Sequence, residues 1–128
     1  MKSVPGLIAL ALLCGCGASS SPSATGGTAT YSISGTELMV FDSVSYSDGS
    51  GQLITGVAPL DGWHRSVSFP LPGEVEAHLH VVALGAGRAV LRVSWTADGV
   101  THRDSTVAQP ATAEILVLSI PSHVVGAP

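Results

Sequence analysis

Glu76-x-His78-x-His80 is the one place in this 128-residue chain where groups of metal-binding chemistry recur at a regular spacing. On an extended strand, residues two apart point to the same face. Glu76, His78 and His80 therefore share a face, about 6.5–7 Å apart along the strand. Two imidazoles and a carboxylate are a donor set for zinc or copper. The same pattern also serves as the solvated face of an amphipathic strand. A fourth ligand from His64 or His102 would complete a tetrahedron, but spacing alone places neither nearby. Other candidates are weaker. Asp42 interrupts an apolar face and reads as a bulge. Arg103 and Asp104 read as edge charges that oppose sheet-to-sheet association. No nucleophile elbow, phosphate loop or nucleotide fingerprint is present. A serine–histidine–aspartate set can be assembled from any chain this rich in serine, so composition alone is no sign of hydrolysis. The expectation is a non-enzymatic protein without a cofactor, with zinc or copper at Glu76, His78 and His80 as the alternative.

Cys16 is the second chemical group. Met1-Lys2 open the chain, Leu7–Leu13 run apolar, and Cys14-Gly15-Cys16 follow. A basic start, a short apolar core and small residues at a break form a secretory signal. The run is too short for a transmembrane helix, which needs about 20 residues. Leu13-Cys14-Gly15-Cys16 resembles the lipobox of bacterial lipoproteins. That resemblance implies signal removal after Gly15 and lipidation of Cys16 by a diacylglyceryl group and an amide-linked acyl chain. Two or more chains hold a protein stably on a membrane. Gly17, in place of an aspartate after the cysteine, favours the outer membrane over the inner one. An ordinary cleaved signal and a retained N-terminal anchor are the alternatives. Loss of residues 1–15 would leave Cys16 as the lone cysteine, so no disulfide could form within the chain.

Composition narrows the partners. From Cys16 onward the chain carries four arginines, no lysine and nine carboxylates, about −5 in all. Such a chain is a poor match for nucleic acid or for anionic lipid surfaces. Aromatic residues are 5% of the chain, too few for a sugar-stacking face. Residues 16–27 hold the lipidated cysteine and a Gly/Ser/Pro-rich linker with a span of ~18 Å. Residues 28–121 suffice for one core. Residues 122–128 read as a disordered tail.

Period-two alternation dominates and helix signals are nearly absent. Tyr31 and Ile33 alternate with polar neighbours. Leu38–Tyr46 places Val40, Val44 and Tyr46 on one face. Ser47–Gly51 is a turn cluster, Gln52–Val57 a short strand, and Trp63, Arg65, Val67 and Phe69 alternate before Pro70–Gly73. In Glu74–Leu84, Val75, Ala77, Leu79 and Val81 oppose Glu76, His78 and His80. In Arg88–Thr96, Ala89, Leu91, Val93 and Trp95 share a face. Gly85-Ala86-Gly87 reads as a hairpin link between these two strands. Asp98-Gly99 is a two-residue hairpin turn that would set Trp95 opposite His102 as a stacking pair. Glu114–Ile120 is apolar on both faces, as a covered strand should be. The expectation is an all-β, antiparallel immunoglobulin-like sandwich of seven or eight strands.

Tyr31–Thr36, Val44–Gly49, Leu60 and Trp63 before Val67-Ser68-Phe69, and Leu91–Val100 together resemble the MmpS-type small membrane proteins over about residues 29–119. The resemblance implies a small β-sandwich that assists a large envelope transporter. The chain departs from that family in three places. Leu91 and Leu118 stand near its usual cysteines, Leu60-Asp61-Gly62-Trp63 replaces a Leu-Pro-Trp segment, and a lipid replaces a single-helix anchor. The expected partners are thus a membrane, through the lipid, and an envelope protein or transport complex.

Overall fold

A computed structural model describes residues 26–126, and the alternating pattern becomes eight strands: β1 (Gly26–Gly35), β2 (Met39–Ser47), β3 (Leu53–Val57), β4 (His64–Pro70), β5 (Gly73–Ala83), β6 (Ala89–Ala97), β7 (Val100–Ala108) and β8 (Glu114–Val125). They form two antiparallel four-stranded sheets, ordered β4-β1-β6-β7 and β3-β2-β5-β8. The sheets pack face to face as a β-sandwich. The central pairs are β1–β6 in the first sheet and β2–β5 in the second, with β4, β7, β3 and β8 at the edges. No helix among the described residues is long and apolar enough to cross a membrane. Residues 1–25, with the expected signal, Cys16 and most of the expected linker, lie outside the described residues.

Alternation explains the core. Ala29, Tyr31 and Ile33 of β1 and Ala89, Leu91, Val93 and Trp95 of β6 point inward from one sheet. Val75, Ala77, Leu79 and Val81 of β5, with Leu118 and Ile120 of β8, meet them from the other. Burying each of the larger aliphatic side chains stabilises the fold by about 1.5–3 kcal/mol. The Tyr31 hydroxyl is buried and donates to the Ser47 carbonyl at 3.0 Å. Its ring lies 5.3 Å from Tyr46, whose ring lies 5.5 Å from Trp63. Ser47, the buried polar residue, donates to the Glu74 carbonyl and accepts from the Gly49 N–H. These bonds fix the 47–51 turn against the start of β5.

Four features of the strand reading change. Val40 is exposed rather than inward, because Asp42 is an extra residue between Phe41↔Val81 and Ser43↔His80. The bulge shifts the inward set from Met39 and Phe41 to Val44 and Tyr46. Gly85-Ala86-Gly87 links no hairpin, since β5 and β6 lie in different sheets. It crosses from one layer to the other, where Gly87 donates to the Pro110 carbonyl. Glu114–Ile120 is not a covered strand. β8 pairs with β5 alone and forms an edge, so its second apolar face meets solvent. Finally, strand pairing runs past both expected boundaries. Gly26 pairs with Pro70, inside the expected linker, and Val125 pairs with Gly73, inside the expected tail.

The Asp98-Gly99 turn is as expected. Ala97 pairs with Val100 and Trp95 with His102, and the two rings stack at 5.8 Å.

Candidate binding face of the second sheet

The outward residues of β2, β5 and β8 form rows across the sheet. Val40 pairs with Val82 and Val82 with Ile115. The next row is Ser43, His80 and Val117, and the next is Ser45, His78 and Ser119. Polarity is therefore graded along the face, from an apolar end to a polar middle.

In the polar middle, Glu76 and His78 meet. The Glu76 carboxylate lies 2.7 Å from His78 Nε2. The Ser119 hydroxyl lies 2.9 Å from Nδ1. A carboxylate only accepts, so Nε2 carries the proton, and in the neutral ring Nδ1 accepts from Ser119. His80 is not part of this group. It turns to Asp42, 3.8 Å away, which the bulge has placed on the same face. His64 and His102 belong to the opposite sheet. Among the described residues, no three His, Cys, Asp or Glu side chains are grouped to hold an ion.

Glu76, His78 and Ser119 have the polarity of a carboxylate–histidine–serine relay. Acyl transfer also needs two converging N–H donors for the oxyanion. Successive N–H groups of an extended strand point in opposite directions and do not converge. The larger depressions also lie elsewhere. What the group does here is cross-link β5 to the edge strand β8.

The apolar end is built from a different set. Val40, Val82 and Ile115 are joined by Leu38 and Leu84, which the Leu84 N–H to Leu38 carbonyl bond brings together. Leu38, Val40, Leu84 and Ile115 are all exposed, Ile115 at 71%. Beside Val40, a depression of about 490 Å³ opens between β2 and the 58–61 segment, with Phe41, Pro59 and Leu60 in its lining. That segment is held firmly. The Asp61 carboxylate accepts from the Gly35 N–H, and Gly62 donates to the Ile33 carbonyl. Ala58 adopts a left-handed φ of 48° while donating to the Asp42 carbonyl. A non-glycine residue there costs about 1–2 kcal/mol, and such outliers cluster at functional sites. A rigid, strained segment thus presents Leu60 to solvent at 79% exposure.

This end of the sandwich is the one opposite the start of β1. Gly26 lies at the other end with Pro70, Gly73, Val125 and the Asp98-Gly99 turn. Residue spacing could not reveal the apolar cluster, because its members come from four separate stretches of chain. Ser119 escaped notice for the same reason; it is 41 residues from His78.

A further cluster lies on the open side between the sheets. His123 Nε2 is 2.7 Å from the Asp104 carboxylate, and its ring stacks 4.8 Å from Trp95. Asp104, expected as an edge charge, thus ties β7 to β8. No protein-family model matches the chain, and neither a curated protein nor a solved structure matches it.

Proposed function

We propose that this chain is a lipid-anchored, non-enzymatic binding module of the bacterial cell envelope, held to a membrane through Cys16. Its partner is an envelope protein, and the partner class is a membrane transport complex. The observation that carries the reading is the exposed apolar end of the β2–β5–β8 face. Contiguous exposed apolar surface marks a site of interaction with a protein or a membrane. Its position opposite the start of β1 supports a protein partner over the bilayer. A tether at Cys16 joins the domain at the start of β1, so the apolar end is the one farther from the point of attachment. The lipobox-like residues support the anchor.

The test is a photo-crosslinking amino acid at Ile115 in the full chain, with the same group at Thr101 as control. A discrete adduct at Ile115 alone, lost on Val40→Asp and Val82→Asp, supports the reading. Absence of an adduct, or equal adducts at both positions, refutes it.

The Glu76–His78 contact favours one second reading, a zinc or copper site at Glu76, His78 and His80. It requires His80 to turn away from Asp42. Metal titration of the full chain decides it. Loss of micromolar binding on His78→Ala with His80→Ala supports the site; unchanged binding, or none, ends it.

A further inference from the structure

The outward face of the other sheet has a different chemistry, and nothing in the proposed docking role uses it. Cross-strand pairing lays its side chains out as a grid. Ser68, Thr28, Thr96 and Thr101 form one row. Ser66, Thr30, Ser94 and Arg103 form the next, and His64, Ser32, Arg92 and Ser105 the third. Hydroxyls and guanidiniums thus cover a face without a carboxylate in any of these rows. In a chain of net negative charge, two of its four arginines have been placed here.

Arg92 and Arg103 line one depression of about 400 Å³ with four hydroxyl residues, Val93 and Asp104, whose carboxylate is already engaged by the Ser105 N–H and by His123. Neither guanidinium forms an ion pair among the described residues. Arg92 makes only a long bond of 3.4 Å to the Ser34 hydroxyl. By contrast, Arg65 is occupied, lying 5.6 Å over the Trp63 ring and donating to the His64 carbonyl. Two unpaired guanidiniums facing one depression repel each other, and an anion between them relieves that repulsion.

The geometry points to a tetrahedral oxyanion ester on a polyol as the ligand. One planar guanidinium fork engages both oxygens of a carboxylate, leaving a second fork no separate pair of oxygens. A phosphate or sulfate ester has three terminal oxygens and can serve two forks at once. Ser and Thr hydroxyls both donate and accept. Those of Thr30, Ser94 and Ser105 therefore suit the hydroxyls of the carrier. Recognition would run through charge and hydrogen bonds, without aromatic stacking, in agreement with the few aromatic residues of the chain. The site is independent of the docking end and stands whether or not that reading holds.

Calorimetric titration of the full chain in nonionic detergent tests the site, with glycerol phosphate, glycerol sulfate and plain glycerol as probes. Saturable binding of either ester in the millimolar range or tighter, weakening with added salt, is expected. Binding of one ester alone identifies the oxyanion. Arg92→Ala and Arg103→Ala should each weaken it at least tenfold. Arg92→Lys and Arg103→Lys keep the charge but lose the fork, so they should weaken it by a smaller factor. Arg88→Ala, in the crossing between β5 and β6, should change nothing. The proposal fails if neither ester binds, if glycerol binds equally well, or if both alanine variants bind as the parent does. Circular dichroism of each variant separates loss of binding from loss of fold.

Discussion

Phe69 is the residue around which the Gly26 end of the sandwich is built. Its ring lies where side chains on Gly49, Gly73 and Gly27 would otherwise stand. A Cβ on Gly49 would come 2.3 Å from Phe69 Cγ, and Gly49 has φ +100°. Gly62 has a similar φ of +86° but open space around it. The pair separates two effects. Gly62→Ala meets only the left-handed penalty and should lose about 1 kcal/mol. Gly49→Ala adds overpacking and should lose roughly 3 kcal/mol or more. Urea unfolding of both variants checks this; equal losses would mean that Phe69 yields freely. Tyr31 supplies a pH prediction. Burial pushes its hydroxyl from the ordinary 10.0 up to about 12. The unfolded chain therefore releases this proton first. The contribution is fully present below pH 10 and is lost as pH rises from about 10 to 12. Tyr31→Phe should flatten that alkaline decline in the urea midpoint. It should also lose about 1 kcal/mol at neutral pH, with the bond to Ser47 gone.

Single strands were legible in the residues because period two is local. The inward sets of β5 and β6 and the Trp95–His102 pairing follow from spacing and from one Asp-Gly turn. Misreadings arose where the answer lies in a neighbouring strand. Val40 needed the Asp42 bulge, which exists only in the register with β5. Gly85-Ala86-Gly87 has hairpin composition, but its strands are claimed by different sheets. Val117 looked covered because an edge strand with a second apolar face has the pattern of a central one. The Glu76–His78 contact could be read from spacing, whereas its Ser119 partner could not. β8 also carries a physical risk. A bulge at Pro121-Ser122, where the β5 register shifts, protects the far half of the strand. From Ile115 to Ile120 the edge has neither charge nor proline. Val117, 54% exposed, lies in its middle. Val117→Lys should leave the urea midpoint nearly unchanged and slow the rise of light scattering on heating. Unchanged scattering would show that association begins elsewhere.

At the scale of the whole molecule, the described sandwich must hold without covalent help. The cysteines are Cys14 and Cys16, both ahead of β1. Stability then rests on two tightly packed sheets, tied along one side by His123 with Asp104 and Trp95. Leu91 of β6 and Leu118 of β8 are both buried, one in each sheet. Two consequences can be measured together on the full chain and its Cys16→Ser variant. Thermal unfolding of the parent should be the same with and without reductant, because no cross-link in the sandwich can be broken. Cys16→Ser should unfold at the same temperature, since Cys16 lies ahead of β1, and under the proposed anchoring should lose palmitate incorporation and membrane association. Leu91→Ala should lower stability by about 2–5 kcal/mol, the range for a cavity in a closed core. A fall in the parent's melting temperature on reduction would mean that a cysteine cross-link outside the sandwich carries part of its stability. Continued labelling of the serine variant would place the acyl chain on another residue and remove the basis for anchoring through Cys16.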